Sequence, residues 1–234
     1  MIGRLQQAAY HPIKEEDSMA TSKSGASCHI SRTILPNSIV RDPNLKPLGF
    51  CILLRFQYMM YKQKSSTIEV SLSAIKSRLS VSSDSTMKTA LNQLKGLGYI
   101  LNMSHIVNKK PITIEVNQSK LERTNQFTQL PTALIDYVSE IGHTGIRLLY
   151  YYESFVNGKT GKVTYAFPGF KRICDEANIN QDTLHKYNKL LIKKKLLRID
   201  KHKKTSTLQY DDQDREIVTK YNNHYYVRHE NIVI

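Results

Sequence analysis

From Lys186 to Lys204, nine of nineteen residues are cationic: Lys186, Lys189, Lys193, Lys194, Lys195, Arg198, Lys201, Lys203 and Lys204. The only acid in that stretch is Asp200. Ammonium and guanidinium groups at this density either lie on a solvated face or neutralise a row of phosphates. The whole chain favours the second use: 34 Lys plus Arg stand against 20 Asp plus Glu, leaving a net charge of +14 and a pI near 9.6. A charge that large implies a polyanionic partner. A second set offers different chemistry. Ser83, Ser85, Thr86, Thr89 and Asn92 recur at helical spacing, with Lys88 and Lys95 among them. Short hydroxyl and amide side chains hydrogen-bond to base edges or phosphates, and the two lysines neutralise phosphates. Asp84, beside them, reads as a first-turn residue favoured by the helix dipole.

Other chemistries find no support. His143, His185, His202, His224 and His229 lack metal-ligand spacing, and His185 and His202 are expected to join the basic surface. Cys28, Cys51 and Cys174 are far apart and form no C-x-x-C pair, so they read as reduced thiols of a cytosolic protein. Asn157-Gly158-Lys159-Thr160-Gly161 lacks the G-x-x-x-x-G-K-[ST] phosphate-loop pattern and reads as a turn. Tyr150-Tyr151-Tyr152 suggests stacking on single strands, but its helical spacing beside Leu148, Leu149 and Phe155 favours core packing. No Ser/His/Asp or paired-carboxylate arrangement is legible. The expectation is a protein without catalytic residues, cofactor or metal. No apolar run approaches the ~20 residues of a membrane span, which points to the cytoplasm or nucleoid and to no membrane partner.

Two elements must position the two polar sets, and the sequence supplies them twice. Leu35-Pro36-Asn37 is echoed by Leu130-Pro131-Thr132, and Leu53-Leu54-Arg55-Phe56 by Leu148-Leu149-Tyr150-Tyr151. A short β-type run follows each time, Thr67–Val70 and then Val163–Phe167. Next come Ile75 and Leu79 in one helix, a turn at Val81-Ser82-Ser83, and Met87, Leu91 and Leu94 in another. In the second half Ile173 and Ala177, the turn Ile179-Asn180-Gln181, and Leu184, Tyr187 and Leu191 take those places. Each second helix runs into an apolar strand start, Gly98-Tyr99-Ile100-Leu101 and Leu196-Leu197-Arg198-Ile199. The first such strand predicts a hairpin: Ile100–Val107, a tip at Asn108-Lys109-Lys110-Pro111, and a return over Ile112–Val116. In the second half Ser206–Tyr210 reads as the strand after the basic run, and the apolar end Asn231–Ile234 is expected to pack onto the domain.

This order resembles the winged helix-turn-helix family over Ser73–Val116 and Phe170–Tyr210. The most family-like stretch is Val81-Ser82-x-x-x-Thr86-Met87-x-x-x-Leu91-x-x-Leu94-x-x-x-Gly98-Tyr99-Ile100. In the second copy Lys195 stands where the glycine is expected, at a cost of about 1 kcal/mol if the residue there must take φ > 0. The expected fold class is α+β, mainly α: a flexible N-terminal arm (1–32), a first winged domain (33–118), a linker (119–126) and a second winged domain with a C-terminal extension (127–234). Separate cores are expected on either side of an exposed connection at Lys120–Gln126. The resemblance implies a second helix in the major groove of double-stranded DNA, with the hairpin on a neighbouring groove or on phosphates. It assigns DNA contacts to Ser83, Ser85, Thr86, Lys88, Thr89, Asn92, Lys95, Lys109 and Lys110. In the second domain it assigns them to Lys186, Lys189, Lys193, Lys194, Arg198, Lys201, Lys203 and Lys204.

The tandem plan over about residues 33–210 also resembles the winged-helix replication initiators and replisome organisers of bacterial plasmids and phages. That likeness implies origin repeats as target, with a helicase or its loader as a further partner, and it is compatible with a homodimer. Two other roles use the same domains: a transcription regulator of a mobile element, and a nucleoid-associated protein without sequence preference.

Overall fold

A computed structural model of the chain describes residues 31–106, 110–122, 125–156, 164–202, 205–210, 216–219 and 222–232. The expected N-terminal arm, apart from its last two residues, lies outside them. Strand β1 (Arg32–Pro36) leads through a single turn, α1 (Asn37–Val40), into α2 (Pro47–Gln63). Pro47 suits that start, because its missing N–H costs nothing in a first helical turn. Lys64 then ends the helix in the left-handed region at φ 50°. Strand β2 (Thr67–Val70) alternates exposed and buried residues, as a half-buried strand must. It is followed by α3 (Leu72–Arg78), α4 (Asp84–Gly96), β3 (Ile100–Met103), β4 (Ile112–Val116) and the single turn α5 (Gln118–Leu121). Strands β2, β4 and β3 form an antiparallel sheet in that order.

The second half repeats the plan with β5 (Phe127–Pro131), a 3-10 segment over Thr132–Tyr137, α6 (Val138–Glu153), α7 (Phe170–Ala177) and α8 (Gln181–Lys193). Strands β6 (Leu197–Asp200), β7 (Thr205–Tyr210), β8 (Glu216–Thr219) and β9 (His224–Val227) follow. The chain is thus a mixture of helices and small sheets, of the α+β kind. Among the described residues, no helix is long and apolar enough to cross a membrane.

The repetition reaches individual hydrogen bonds. Ser80 and Asn178 both leave α3 and α7 with φ 52°. Val81 N–H donates to Lys76 O (2.8 Å), and Ile179 N–H to Cys174 O (3.0 Å). After α4, Gly98 N–H bonds Lys95 O and Tyr99 N–H bonds Leu94 O; after α8, Lys195 N–H bonds Ile192 O and Leu196 N–H bonds Leu191 O, all at 2.9 Å. Gly98 has φ 71° and Lys195 φ 59°, so the lysine does occupy the glycine's left-handed conformation.

The two halves meet symmetrically at one strand pair. Strands β1 and β5 pair antiparallel with Ile34 opposite Gln129, and an offset of 95 carries the one residue onto the other. The same offset interchanges the flanking bonds, Asn37 N–H to Gln126 O (3.0 Å) and Thr132 N–H to Ser31 O (2.8 Å). Helices α2 and α6 pack against each other beside this seam.

Three expectations give way. Separate cores are not found: Leu53, Leu54, Leu148 and Leu149 belong to one continuous buried cluster. The apolar faces of the equivalent helices α2 and α6 cover each other, so neither half buries its own stripe alone. The buried Arg147 adds to the tie, donating from its guanidinium to the carbonyls of Leu45, Asp42 (2.6 Å) and Glu176 (3.2 Å). Second, Ser206–Tyr210 is a strand as expected, but the hairpin that begins at β6 does not close within Phe170–Tyr210. Those residues form β7, but β7 pairs with β8, while β6 pairs with β9 (Leu197 opposite Val227, Asp200 opposite His224). The inserted pair of strands defers the return by some twenty residues. Third, the strand expected over Val163–Phe167 shrinks to a single bridge between Ala166 and Tyr225, since in its described part only Ala166 turns into the core. In its described part the apolar C-terminal stretch packs: Ile232 is buried, and Asn231 donates its side-chain amide to Lys195 O (2.7 Å), while Val233 and Ile234 lie outside the described residues.

Candidate nucleic-acid interface

Two thirteen-residue helices carry the candidate residues, and each is built the same way. Ser83 caps α4 by accepting a bond from Thr86 N–H (3.4 Å), and Asn180 caps α8 by accepting one from Thr183 N–H (2.8 Å). Each cap satisfies one of the orphan donors of a first helical turn. Met87, Ala90, Leu91 and Leu94 anchor α4 to the core; Leu184, Asn188 and Leu191 anchor α8. With 3.6 residues per turn, the opposite side of each helix must face solvent.

On α4 that side presents Ser85, Thr86, Lys88, Thr89, Asn92 and Lys95, all exposed. Ser83 is half-buried and lies 2.6 Å, hydroxyl to hydroxyl, from Ser85. Asp84 is engaged by Lys76 of α3, whose ammonium holds its carboxyl below the usual range. The helix face therefore carries little negative field towards an incoming anion. On α8, Lys186, Lys189 and Lys193 are exposed within an arc of about 60° of one another.

The remaining cations are less free. Lys194 pairs with Glu140 of α6, and Arg198 pairs with Asp200 (3.3 Å) while its guanidinium lies 4.0 Å over the Tyr226 ring. Lys110 and Lys201 are exposed; Lys109, Lys203 and Lys204 lie outside the described residues. Sequence reasoning missed the Lys194–Glu140 pair, because the two residues are distant in the chain and meet only through the packing of α8 on α6.

Several other readings can be placed. Tyr150, Tyr151 and Tyr152 are all buried, and burial pushes each phenol up, so they act as neutral donors. Tyr152 donates to Asn188 Oδ1 (2.8 Å) and stacks on Tyr225 at 4.4 Å, which fixes α8 against α6 and β9. The equivalent of Asn188 in the first half is Leu91, so this polar lock has no counterpart on α4. Burial likewise pushes up the Cys51 thiol, and Cys174 is half-buried; both are free thiols, while Cys28 lies outside the described residues. His229 pairs with Glu153 (2.9 Å), and His185 packs against Phe170 at 4.7 Å. His143 contacts Leu79 O through Nε2 (2.8 Å), linking α6 to the end of α3, and burial holds its imidazole below the ordinary value. Among the described residues, no group of three or more His, Cys, Asp or Glu is placed to hold a metal ion. The turn at Asn157–Gly161 lies outside the described residues.

Compared with family models and with curated proteins, the chain matches none.

Proposed function

We propose that this chain binds double-stranded DNA through two winged helix-turn-helix units, with α4 and α8 entering major grooves and the β3–β4 and β6–β9 hairpins as wings. One observation carries the reading. Two helices of equal length, with equivalent caps and equivalent exits, turn polar and cationic faces to solvent on a chain of net charge +14. The symmetric antiparallel pairing of β1 with β5 suggests a geometric expectation, that the two helices approach one duplex in opposed orientations and the target contains two inverted half-sites. The half-sites differ in sequence, because the two faces differ.

The division of labour follows from side-chain chemistry. Thr89 and Asn92 discriminate bases by hydrogen bonding; Lys189 and Lys193 hold phosphates and discriminate little. Footprinting on DNA from the element that encodes the protein identifies the site. Replacing Thr89 and Asn92 by Ala then lowers the ratio of specific to random-sequence affinity by ~1–3 kcal/mol for each base that is no longer read. Replacing Lys189 and Lys193 by Ala weakens both sequences alike. If the lysine pair alone controls specificity, the assignment is reversed; if neither pair matters, DNA does not use these faces.

The tandem order further supports a role as a replication initiator of a plasmid or phage, acting on origin repeats and passing the site to a helicase or its loader. A footprint on such a repeat array favours that role, and one on a divergent promoter favours transcriptional control.

A further inference from the structure

The outer face of the second sheet carries a cluster of aromatic rings, half-buried at Tyr165, His224 and Tyr226 and exposed at Phe167. In the β6–β9 register Arg198 lies opposite Tyr226 and Asp200 opposite His224, while Leu197 and Tyr225 turn into the core. Ala166, bridged to Tyr225, also points inward, which sends its neighbours Tyr165 and Phe167 to the outer face. The rings there form one continuous array. Tyr165 stacks on His224 at 3.9 Å and lies 5.5 Å from Tyr226 and 6.2 Å from Phe167, and His202 meets His224 edge-on at 4.2 Å. The Arg198 guanidinium, 4.0 Å over Tyr226, continues the array as a further planar group. Phe167 is 54 % exposed.

The chain supplies its own control. The matching outer face of the first sheet carries Thr67, Glu69, Thr113 and Glu115, with no ring and two carboxylates. A sheet of this plan therefore needs no aromatics on its outer face to be stable. The second sheet carries rings where the first carries carboxylates, beside Arg198 and the exposed Lys201, and in β6 and β9 the one acid, Asp200, is paired to Arg198.

We infer that this face is a stacking platform for unpaired bases, a binding site for single-stranded nucleic acid separate from the faces of α4 and α8. Rings and a guanidinium plane accept bases irrespective of sequence, and the flanking cations follow the phosphates. The planar groups point to a base as occupant, and the exposed Lys201 lies beside them to meet a phosphate. The platform shares the β6–β9 strands, Arg198 and Lys201 with the proposed wing, whereas Tyr165 and Phe167 lie outside that hairpin, so Phe167 separates the two readings.

The test uses the full chain and fluorescein-labelled 20-mers of oligo(dT) and oligo(U), with fluorescence anisotropy as readout. Saturable binding is expected, and F167A/Y226A should weaken it by about 5- to 150-fold for each base that no longer stacks. F167A alone, at a mostly exposed position, repeats the test with minimal risk to folding. The ring-preserving variant F167Y/Y226F should bind single strands like the parent, and F167A, which lies outside the strands of the proposed wing, should leave duplex binding within about twofold. The sequence contains no tryptophan, so Phe167→Trp supplies a single reporter whose emission a stacked base quenches. Binding and quenching by either oligomer support the platform, and the tighter one names the natural strand. Failure to bind both oligomers, binding indifferent to loss of the rings, or equal losses for duplex and single strand in F167A would overturn it.

Discussion

Asn188 is a polar residue buried on the core side of α8, where the repeat at Leu91 of α4 shows that leucine fits the same place. Its Oδ1 accepts the Tyr152 hydroxyl at 2.8 Å, and both groups are shielded from water. Asn188→Leu strands the hydroxyl, and Tyr152→Phe strands the amide oxygen. A buried polar group left without its partner costs about 1–3 kcal/mol, whereas removing both partners together is nearly neutral. Each single variant should therefore lose about 1–3 kcal/mol of stability, roughly 2–10 °C in Tm for a chain of this size. The double variant should lose less than the sum, with a coupling of about 1–2 kcal/mol. Tyr152→Phe keeps the stack on Tyr225, so the ring contribution cancels from the cycle. Urea unfolding followed by circular dichroism gives all four stabilities. Strict additivity, or single variants within about 0.5 kcal/mol of the parent, would refute the idea that this bond sets α8 on the core.

Two further outcomes follow from the packing. The core running through Leu53, Leu54, Leu148 and Leu149 should make both halves unfold in one transition, with near- and far-ultraviolet dichroism coincident; two resolved transitions would contradict a shared core. His143 has a folded-state pKa below its ordinary 6.5, mainly through burial. The unfolded chain therefore takes up the proton first, and the associated stability is present above about pH 6.5 and lost as pH falls below it. His143→Gln, which retains a donor for Leu79 O, should flatten the stability profile between about pH 6.5 and 5; an unchanged profile would exclude His143 as its cause.

The helix pairs were legible in the sequence because their apolar residues recur with the helical period and their turns are punctuated by Gly98 and by its positional equivalent Lys195. The β3–β4 hairpin was legible from the alternation in Ile112–Val116. What was not legible depends on contacts between distant residues. Leu35-Pro36 and Leu130-Pro131 were visible as an echo, but nothing local shows that the strands containing them pair with each other and fuse the two cores. The β6–β9 pairing is hidden by the strands inserted between them. For the candidate site, periodicity identified the outward residues of α4 and α8, while the pairing of Lys194 with Glu140 needed the packed fold. The rings on the outer face of the second sheet were not legible for a related reason: only the strand register shows which way Tyr165, His224 and Tyr226 face.

The central claim rests on phosphate neutralisation by the α8 lysines, and the salt dependence of duplex affinity measures that directly. Residues 33–118 and 119–204 carry net charges of about +7 and +8, so both halves can contribute to it. Affinity should fall by an estimated 10- to 1,000-fold between 50 and 200 mM salt. Each neutralised phosphate adds about 0.9 to the slope of log K against log[salt], so replacing Lys186, Lys189 and Lys193 by Ala should reduce the slope by roughly 2 to 3. A parent affinity that hardly moves with salt, or a triple variant with the parent's slope, would contradict the account.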